Sequence, residues 1–403
     1  MANSNQDANG VSISKSAFSV LFLVVFLDNL GFAIVVPYLY FYVRALGGSA
    51  FLYGLLLASY SLMSFVFTPL VARLSDRFGR RKILLASLAV SSIAYFLFGS
   101  AQAIWLLFLG RMLSGTTAAT VPVAQAYVAD VTTPKQRLRY LGLLGAAAGI
   151  AFVMGPAIGG TLSNLFGYGL PSFLASALAF TNLVLAYFRL PEPSSFNIKR
   201  MVLSFAALLR ILRKRKIALL LSTYFVFFIS FVFLQAALSP WLQEVFGFGS
   251  LQTGLVFFFI GAVSVITQVV LLPALSKRFN QLNLTIFCIL VFTVGLIALS
   301  AVGNLVFLFL VAAGAAFGFG ILYVSFNTLI SLNTPKEAQG GALGVAWAIA
   351  GLAQTIAPVI AASAFSIGSS VGFDGLVFVV AALIALVTVP LVLAFKRLDQ
   401  KNQ

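Results

Sequence analysis

Leu74-Ser75-Asp76-Arg77-Phe78 returns as Leu275-Ser276-Lys277-Arg278-Phe279, 201 residues further along the chain. Thr133-Pro134-Lys135 returns at the same distance as Thr334-Pro335-Lys336. Gly142, Gly149 and Pro156 match Gly344, Gly351 and Pro358 at an offset of 202, and Gly54 matches Gly254 at 200. Several independent matches at one offset mark a duplication rather than coincidence. The chain is read as two related halves.

Composition says what each half is made of. Of 403 residues 61% are hydrophobic and only 8% are charged, against about 25% charged in soluble domains. Apolar segments lie near 17–42, 51–72, 82–100, 104–127, 140–162, 170–190, 217–239, 252–273, 283–302, 304–328, 341–366 and 374–395. Each has the ~20 residues that a helix needs to cross ~30 Å of hydrocarbon. The expected fold is an all-α membrane protein of twelve transmembrane helices in two pseudo-symmetric six-helix bundles. The bundles occupy residues 1–190 and 217–403, and a polar linker, 191–216, joins them. Within the linker, Met201 to Leu212 reads as a short basic amphipathic helix on the membrane face. Two homologous six-span halves around a central site form a transporter architecture, because rocking one half against the other gives alternating access.

The net charge of +16 raises nucleic acid as a partner, but its distribution points elsewhere. With the amino terminus inside, all but two of the 25 Lys and Arg fall on the cytoplasmic side or its edge. The exceptions are Arg44 outside and Arg111 within a span. This is the positive-inside pattern of a multi-pass cell-membrane protein with both termini cytoplasmic, and no nucleic-acid partner is needed. The single cysteine, Cys288, excludes an internal disulfide framework, and the first apolar run is too long for a cleaved leader.

The repeat also sorts the polar residues. What both halves keep is scaffold, and what only one half has is a candidate for function. In Phe26-Leu27-Asp28-Asn29-Leu30-Gly31-Phe32-Ala33-Ile34-Val35-Val36-Pro37, a carboxylate sits near the middle of an apolar run. Charges there cost roughly 2.5–3.5 kcal/mol on insertion scales and are functional by default. Asp28 aligns with the Ser230–Phe231 region and Arg111 with about Ala312, so neither charge is repeated. The second half has no charged residue inside any span, only neutral groups such as Gln235, Gln268, Asn327 and Gln354. By helical rise, Asp28 lies roughly 16 Å from one membrane edge and Arg111 roughly 11 Å from the other. In ~30 Å of hydrocarbon their depths differ by a few Å. Two readings stay open: a permanent ion pair that makes both charges tolerable, or a carboxylate whose proton affinity changes with water access and distance from arginine.

The loop Ala72-Arg73-Leu74-Ser75-Asp76-Arg77-Phe78-Gly79-Arg80-Arg81-Lys82 combines a tight turn at Gly79 with a carboxylate among arginines. Asp76 has two expected roles: pairing with those arginines, or facing a helix N-terminus. The loop is either a latch that breaks when the halves rock apart or a cluster of basic residues that sets topology.

This loop resembles motif A of the major facilitator superfamily, Gly-x-x-x-Asp-Arg-x-Gly-Arg-Arg, with Ala72 in place of the first glycine. The resemblance makes Asp76, Arg77, Gly79, Arg80 and Arg81 gating residues. Leu109-Gly110-Arg111-Met112-Leu113-Ser114-Gly115 resembles motif B, whose arginine is implicated in proton transfer. Gly145, Gly149, Gly155, Pro156, Gly159 and Gly160 reproduce motif C, associated with antiporters, although small residues that let helices pack closely would look the same. The first span, with Asp28, Gly31 and Pro37, also looks like the twelve-span drug:proton antiporters, and the resemblance covers all twelve spans. It implies a proton-coupled exporter of small lipophilic or cationic organic compounds, with Asp28 and Arg111 in proton coupling. Within transport, a uniporter or proton symporter has the same scaffold; outside it stands a non-transporting receptor. The chain also resembles tetracycline exporters, which carry an acidic residue just before a tyrosine in the third span. Here Ala94 precedes Tyr95 and span 9 has no acid, which argues against tetracycline–metal recognition.

In that family spans 1, 4, 7 and 10 line the cavity. The resemblance then places Phe32, Gln125, Phe231, Gln235, Tyr323 and Asn327 on its walls, a surface that is apolar and aromatic with few hydrogen-bonding groups. The expected partners are a small organic substrate, protons and the lipid bilayer, and the expected working unit is a monomer. No metal or other cofactor is expected. With no histidine and no paired carboxylates in the membrane, general acid–base options are few, and an enzyme is not expected.

Overall fold

The computed structural model describes residues 15–193, 215–335 and 339–400. The expected amphipathic helix at Met201 to Leu212 lies outside the described residues. Among them, twelve helices are long and apolar enough to cross a membrane. In chain order they are α1 (Lys15–Val35), α2 (Ala50–Phe78), α3 (Arg80–Gly99), α4 (Ile104–Asp130), α5 (Pro134–Phe166) and α6 (Gly169–Arg189), followed by α7 (Arg215–Phe246), α8 (Ser250–Ser276), α9 (Gln281–Leu299), α10 (Leu305–Leu332), α11 (Gln339–Ser370) and α12 (Leu376–Gln400).

Proline chemistry shapes two helices near the site. The span expected at 17–42 divides, because the residue before a proline is pushed out of the helical region. α1 ends at Val35, just before Val36-Pro37, and a short helix, Leu39–Ala45, follows. In α4, Pro122 cannot donate to the Ala118 carbonyl. The helix accordingly breaks between Thr116 and Thr120, one turn and a half past Arg111.

Each half closes on its own apolar interior. The carboxy-terminal half is built around a cluster that includes Tyr224, Phe227, Trp241, Phe292, Phe326 and Phe378. The amino-terminal half has two clusters, one around Leu21, Leu84, Tyr127 and Leu144, the other around Ile34, Tyr38, Tyr53 and Tyr95. The halves touch mainly through two crossed pairs, α2 with α11 and α5 with α8.

Those pairs close one end only. Near the loops that follow odd-numbered helices, an added Cβ at Gly54 would lie 2.7 Å from the Pro358 carbonyl, and at Gly160 2.5 Å from the Ser250 carbonyl. There the Ser250 hydroxyl donates to the Gly160 carbonyl at 3.4 Å. Toward the opposite end, where Asp76 and Thr133 lie, Gly142, Gly145 and Gly149 of α5 face open space. The two halves form a V, shut at the odd-loop end and open at the even-loop end.

Candidate functional site

The site begins with how α4 delivers Arg111. An added Cβ at Gly115 would meet the Tyr60 carbonyl at 2.5 Å and Met63 at 2.7 Å, so α4 and α2 pack backbone to backbone there. This close approach places the Arg111 guanidinium inside the first half, where the residue is 2% exposed. The guanidinium lies over the rings of Tyr60 (5.1 Å) and Phe32 (5.6 Å). Cation–π contacts of this kind contribute about 0.5–2 kcal/mol, more as the site is desolvated. Arg111 Nε has no hydrogen-bond partner.

Asp28 is half-buried on α1, one turn before Phe32. It makes no ion pair with Arg111, so the permanent pair inferred as one reading from their depths is not formed. Tyr60 and Tyr95 stand in electrostatic range of both charges. Tyr95 reaches α1 directly: its hydroxyl lies 2.9 Å from where a Cβ on Gly31 would sit. Asp28, Tyr60, Tyr95 and Arg111 thus form one electrostatically coupled array.

A narrow central cavity joins this array to the other half. Phe32, Tyr60, Ser61 and Arg111 line it from one side, Gln235 of α7 and Gln354 and Pro358 of α11 from the other. Phe32 and Gln235 were expected there, and Arg111 was expected in proton coupling. Tyr60 and Gln354 were not, because the rule of spans 1, 4, 7 and 10 excludes α2 and α11. Their signal in the sequence was polarity at the level of Arg111.

The remaining expected wall residues lie elsewhere. Phe231 stacks on Phe319 with centroids 3.8 Å apart and planes 12° apart, and belongs to the packing of the second half. Gln125 is exposed beyond the break in α4 and lines no part of the central cavity. Tyr323 and Asn327 line a separate cleft of about 470 Å³ between α10 and α11, together with Trp347.

Motif A forms a knot within the first half. Gly79 adopts φ +107° to turn the chain between α2 and α3. Arg80 pairs with Asp76, bonds Asp130 at the end of α4 at 3.1 Å, and donates to Ser75 Oγ at 2.6 Å. Arg81 donates its guanidinium N–H to the Tyr187 carbonyl at 2.6 Å and lies over that residue's ring. Asp76 therefore takes the first of its two expected roles. The second falls to Glu192, which accepts from the Arg81 backbone N–H at 3.2 Å at the start of α3, where a carboxylate is favoured by the helix dipole. Arg77 lies exposed over the Phe78 ring. These bonds join α2, α3, α4 and α6 of one half and none reaches the other half, so a latch between halves is not engaged in this open-ended state. Replacing Arg80 by glutamine removes its ion pairs with Asp76 and Asp130. The Asp76 pair is partly exposed and contributes little. The cost comes mainly from the less exposed Asp130 pair and stays below the ~3–5 kcal/mol of a fully buried pair. The expected result is a lower melting temperature in detergent; an unchanged one would show that the knot carries no stability.

Motif C divides. Gly155, Pro156, Gly159 and Gly160 are buried at the closed end, where Gly155 and Gly159 press on the α1 backbone at Ala33 and Ile34 and Gly160 on α8. Gly145 and Gly149 have no neighbour within 4 Å of an added Cβ.

Twelve spans in two halves, a buried arginine in α4 and the knot at Gly79 can now be set beside known proteins. The sequence model of the Major Facilitator Superfamily matches residues 21–358. The chain belongs to this superfamily. It is 30% identical over 388 residues to the class C tetracycline resistance protein of Escherichia coli, covering 94% of this chain and 96% of that one. It is 28% identical over 361 residues to multidrug resistance protein 1 of Bacillus subtilis, covering 87% of this chain and 90% of that one. Among solved structures, a bacterial homologue of the human lysosomal transporter Spinster, inward-facing and unoccupied, superposes with a TM-score of 0.80 at 15% identity. That match covers 96% of this chain and 98% of the homologue. The superfamily is one of transporters of small organic substrates, so this is a multi-pass cell-membrane transporter and not an enzyme.

Proposed function

We propose that this superfamily member is a proton-coupled exporter of small lipophilic or cationic organic compounds, working as a monomer by alternating access. The observation that carries the reading is the array of Asp28, Tyr60, Tyr95 and Arg111 beside the central cavity. With Asp28 ionised, its charge and that of Arg111 balance. When Asp28 takes a proton, the buried Arg111 charge is left uncompensated and repels a cationic guest. Proton and cation therefore exclude each other, which is the linkage an exchanger requires. The names of the tetracycline and multidrug resistance relatives support export. The missing acids in α3 and α9 speak against a metal-chelated drug as cargo. The positive-inside distribution puts the even-loop end in the cytoplasm, so the open V faces inward and both termini are cytoplasmic.

Proteoliposomes loaded with tetraphenylphosphonium and given an acid exterior test this. Efflux faster than in protein-free vesicles, accompanied by acidification of the lumen, is the expected result. Efflux without acidification would identify a uniporter. Co-movement of protons with the cation would identify a symporter. No flux at all would leave a non-transporting receptor.

A further inference from the structure

Arg111 carries a charge that the fold leaves unanswered. It is 2% exposed, and its side chain makes no ion pair or hydrogen bond among the described residues. The groups in electrostatic range of it are the phenols of Tyr60, Tyr95, Tyr38 and Tyr53, all neutral at physiological pH. The Phe32 and Tyr60 rings offset part of its desolvation, but a ring face is a weak substitute for a countercharge. The central cavity is where that countercharge is missing. Its volume is about 30 Å³, room for a few waters or one monatomic ion and far below what an organic ligand needs. No carboxylate is among its walls. Two amides, Gln235 and Gln354, face Arg111 across it, and neither is hydrogen-bonded among the described residues. The Ser61 hydroxyl is committed to the Leu57 carbonyl at 3.4 Å. An amide or a phenol presents either a donor or an acceptor, whereas a guanidinium only donates. Arg111 therefore sets the sign of the site.

We infer that the central cavity is a site for one small monovalent anion, of the class of chloride, held on the Arg111 guanidinium and closed over by the N–H groups of Gln235 and Gln354. A guanidinium is more weakly hydrated than an ammonium, which suits an anion that sheds its own water readily. The partners come from both halves, Arg111 from α4 and the two amides from α7 and α11, so the anion bridges the seam near its closed end. The site stands on this geometry, and rests on the exporter reading only for its link to Asp28. Asp28 and Arg111 share Tyr60 and Tyr95 as electrostatic neighbours. With Asp28 ionised, the array is balanced and an anion is disfavoured. With Asp28 protonated, the anion supplies the missing negative charge. Proton and anion therefore favour each other's binding, and anion affinity falls as pH rises, opposite in sign to the cation. The proton-loaded protein then changes orientation with its buried guanidinium compensated.

The test melts the whole protein in detergent while chloride replaces gluconate, an anion too large for the cavity, at constant ionic strength. In acid buffer the melting temperature should rise along a saturating curve, by about 2 °C once chloride exceeds its dissociation constant tenfold. In alkaline buffer half-saturation should need about tenfold more chloride. Gln354→Leu keeps the volume but removes a donor to the ion, and should also raise half-saturation about tenfold. Gln354→Glu puts a fixed carboxylate in the anion's place. It should abolish the chloride response and melt in gluconate no lower than the parent. Asp28→Asn should show the acid behaviour in both buffers. A chloride response that ignores pH and is unchanged in Asp28→Asn would keep the anion site and remove its link to the proton, so failure of the exporter reading is told apart from failure of the site. Identical melting in chloride and gluconate, or an undiminished response in Gln354→Glu, would overturn the proposal and leave water as the occupant of the cavity.

Discussion

Replacing Asp28 by asparagine abolishes transport driven by a pH gradient while the protein remains folded. Asparagine is nearly isosteric but takes up no proton at the site, so it holds the array permanently in the state that protonation would produce. Because Asp28 has no ion-pair partner, its loss strands no countercharge in contact with it, and the cost that usually follows from breaking a buried pair does not arise. The Arg111 charge stays over the Phe32 and Tyr60 rings. The variant should therefore elute and melt like the parent chain. It should bind tetraphenylphosphonium at the central cavity more weakly, and with no dependence on pH. In the parent chain the sign is opposite: cation affinity rises with pH, because deprotonation restores the balancing charge. Flux in proteoliposomes under an imposed gradient, with binding at two pH values, checks both parts. Gradient-driven flux at the parental rate would remove Asp28 from the coupling mechanism.

Gly159→Ala is the second large effect, and it is structural. An added methyl would collide with the carbonyl group of Ile34, because α5 and α1 meet there backbone to backbone. Overpacking a core costs typically 1–3 kcal/mol where side chains can yield. Here the obstacle is main chain within a helix, and about 3 kcal/mol or more is expected, read as poor yield and a melting temperature several degrees lower. Gly145→Ala, ten residues and more before it on the same helix, has open space around it and should melt within a degree of the parent. The larger Gly145→Leu should also fold, yet stall the cycle, since bringing the even-loop ends of the halves together requires that surface to be small. Equal melting temperatures for Gly159→Ala and Gly145→Ala would refute the division of motif C into a packed part and a moving part.

These contrasts show where sequence reading stops. The motif C glycines look equivalent on paper, and only their neighbours in space separate Gly159, pressed on Ile34, from Gly145, where an added Cβ would meet nothing within 4 Å. Arg80 and Asp76 stand four apart in a recognisable loop, so their pairing was accessible. Asp130 at the end of α4 and Glu192 after α6, which complete the knot, are distant in sequence and carry no local pattern that announces them. Cavity residues fared similarly. Phe32, Arg111 and Gln235 follow from depth and span number, whereas Tyr60 and Gln354 enter because α2 and α11 cross at the seam between halves.

Twelve spans, their duplication and the isolation of Asp28 in an apolar run are properties that the sequence by itself determined. They depend on local composition and on offsets along the chain, because the bilayer imposes length and polarity on every segment that crosses it. Depth in the membrane belongs to the same class, since helical rise is constant. Direction around each helix axis does not. Depth alone placed Asp28 and Arg111 at nearly the same level and left a permanent ion pair as one of two readings. The packing of α4 on α2 at Gly115 turned Arg111 onto the Phe32 and Tyr60 rings instead. Only the tertiary structure decided that, because the rotation and neighbours of a helix are set by its contacts and not by its own sequence.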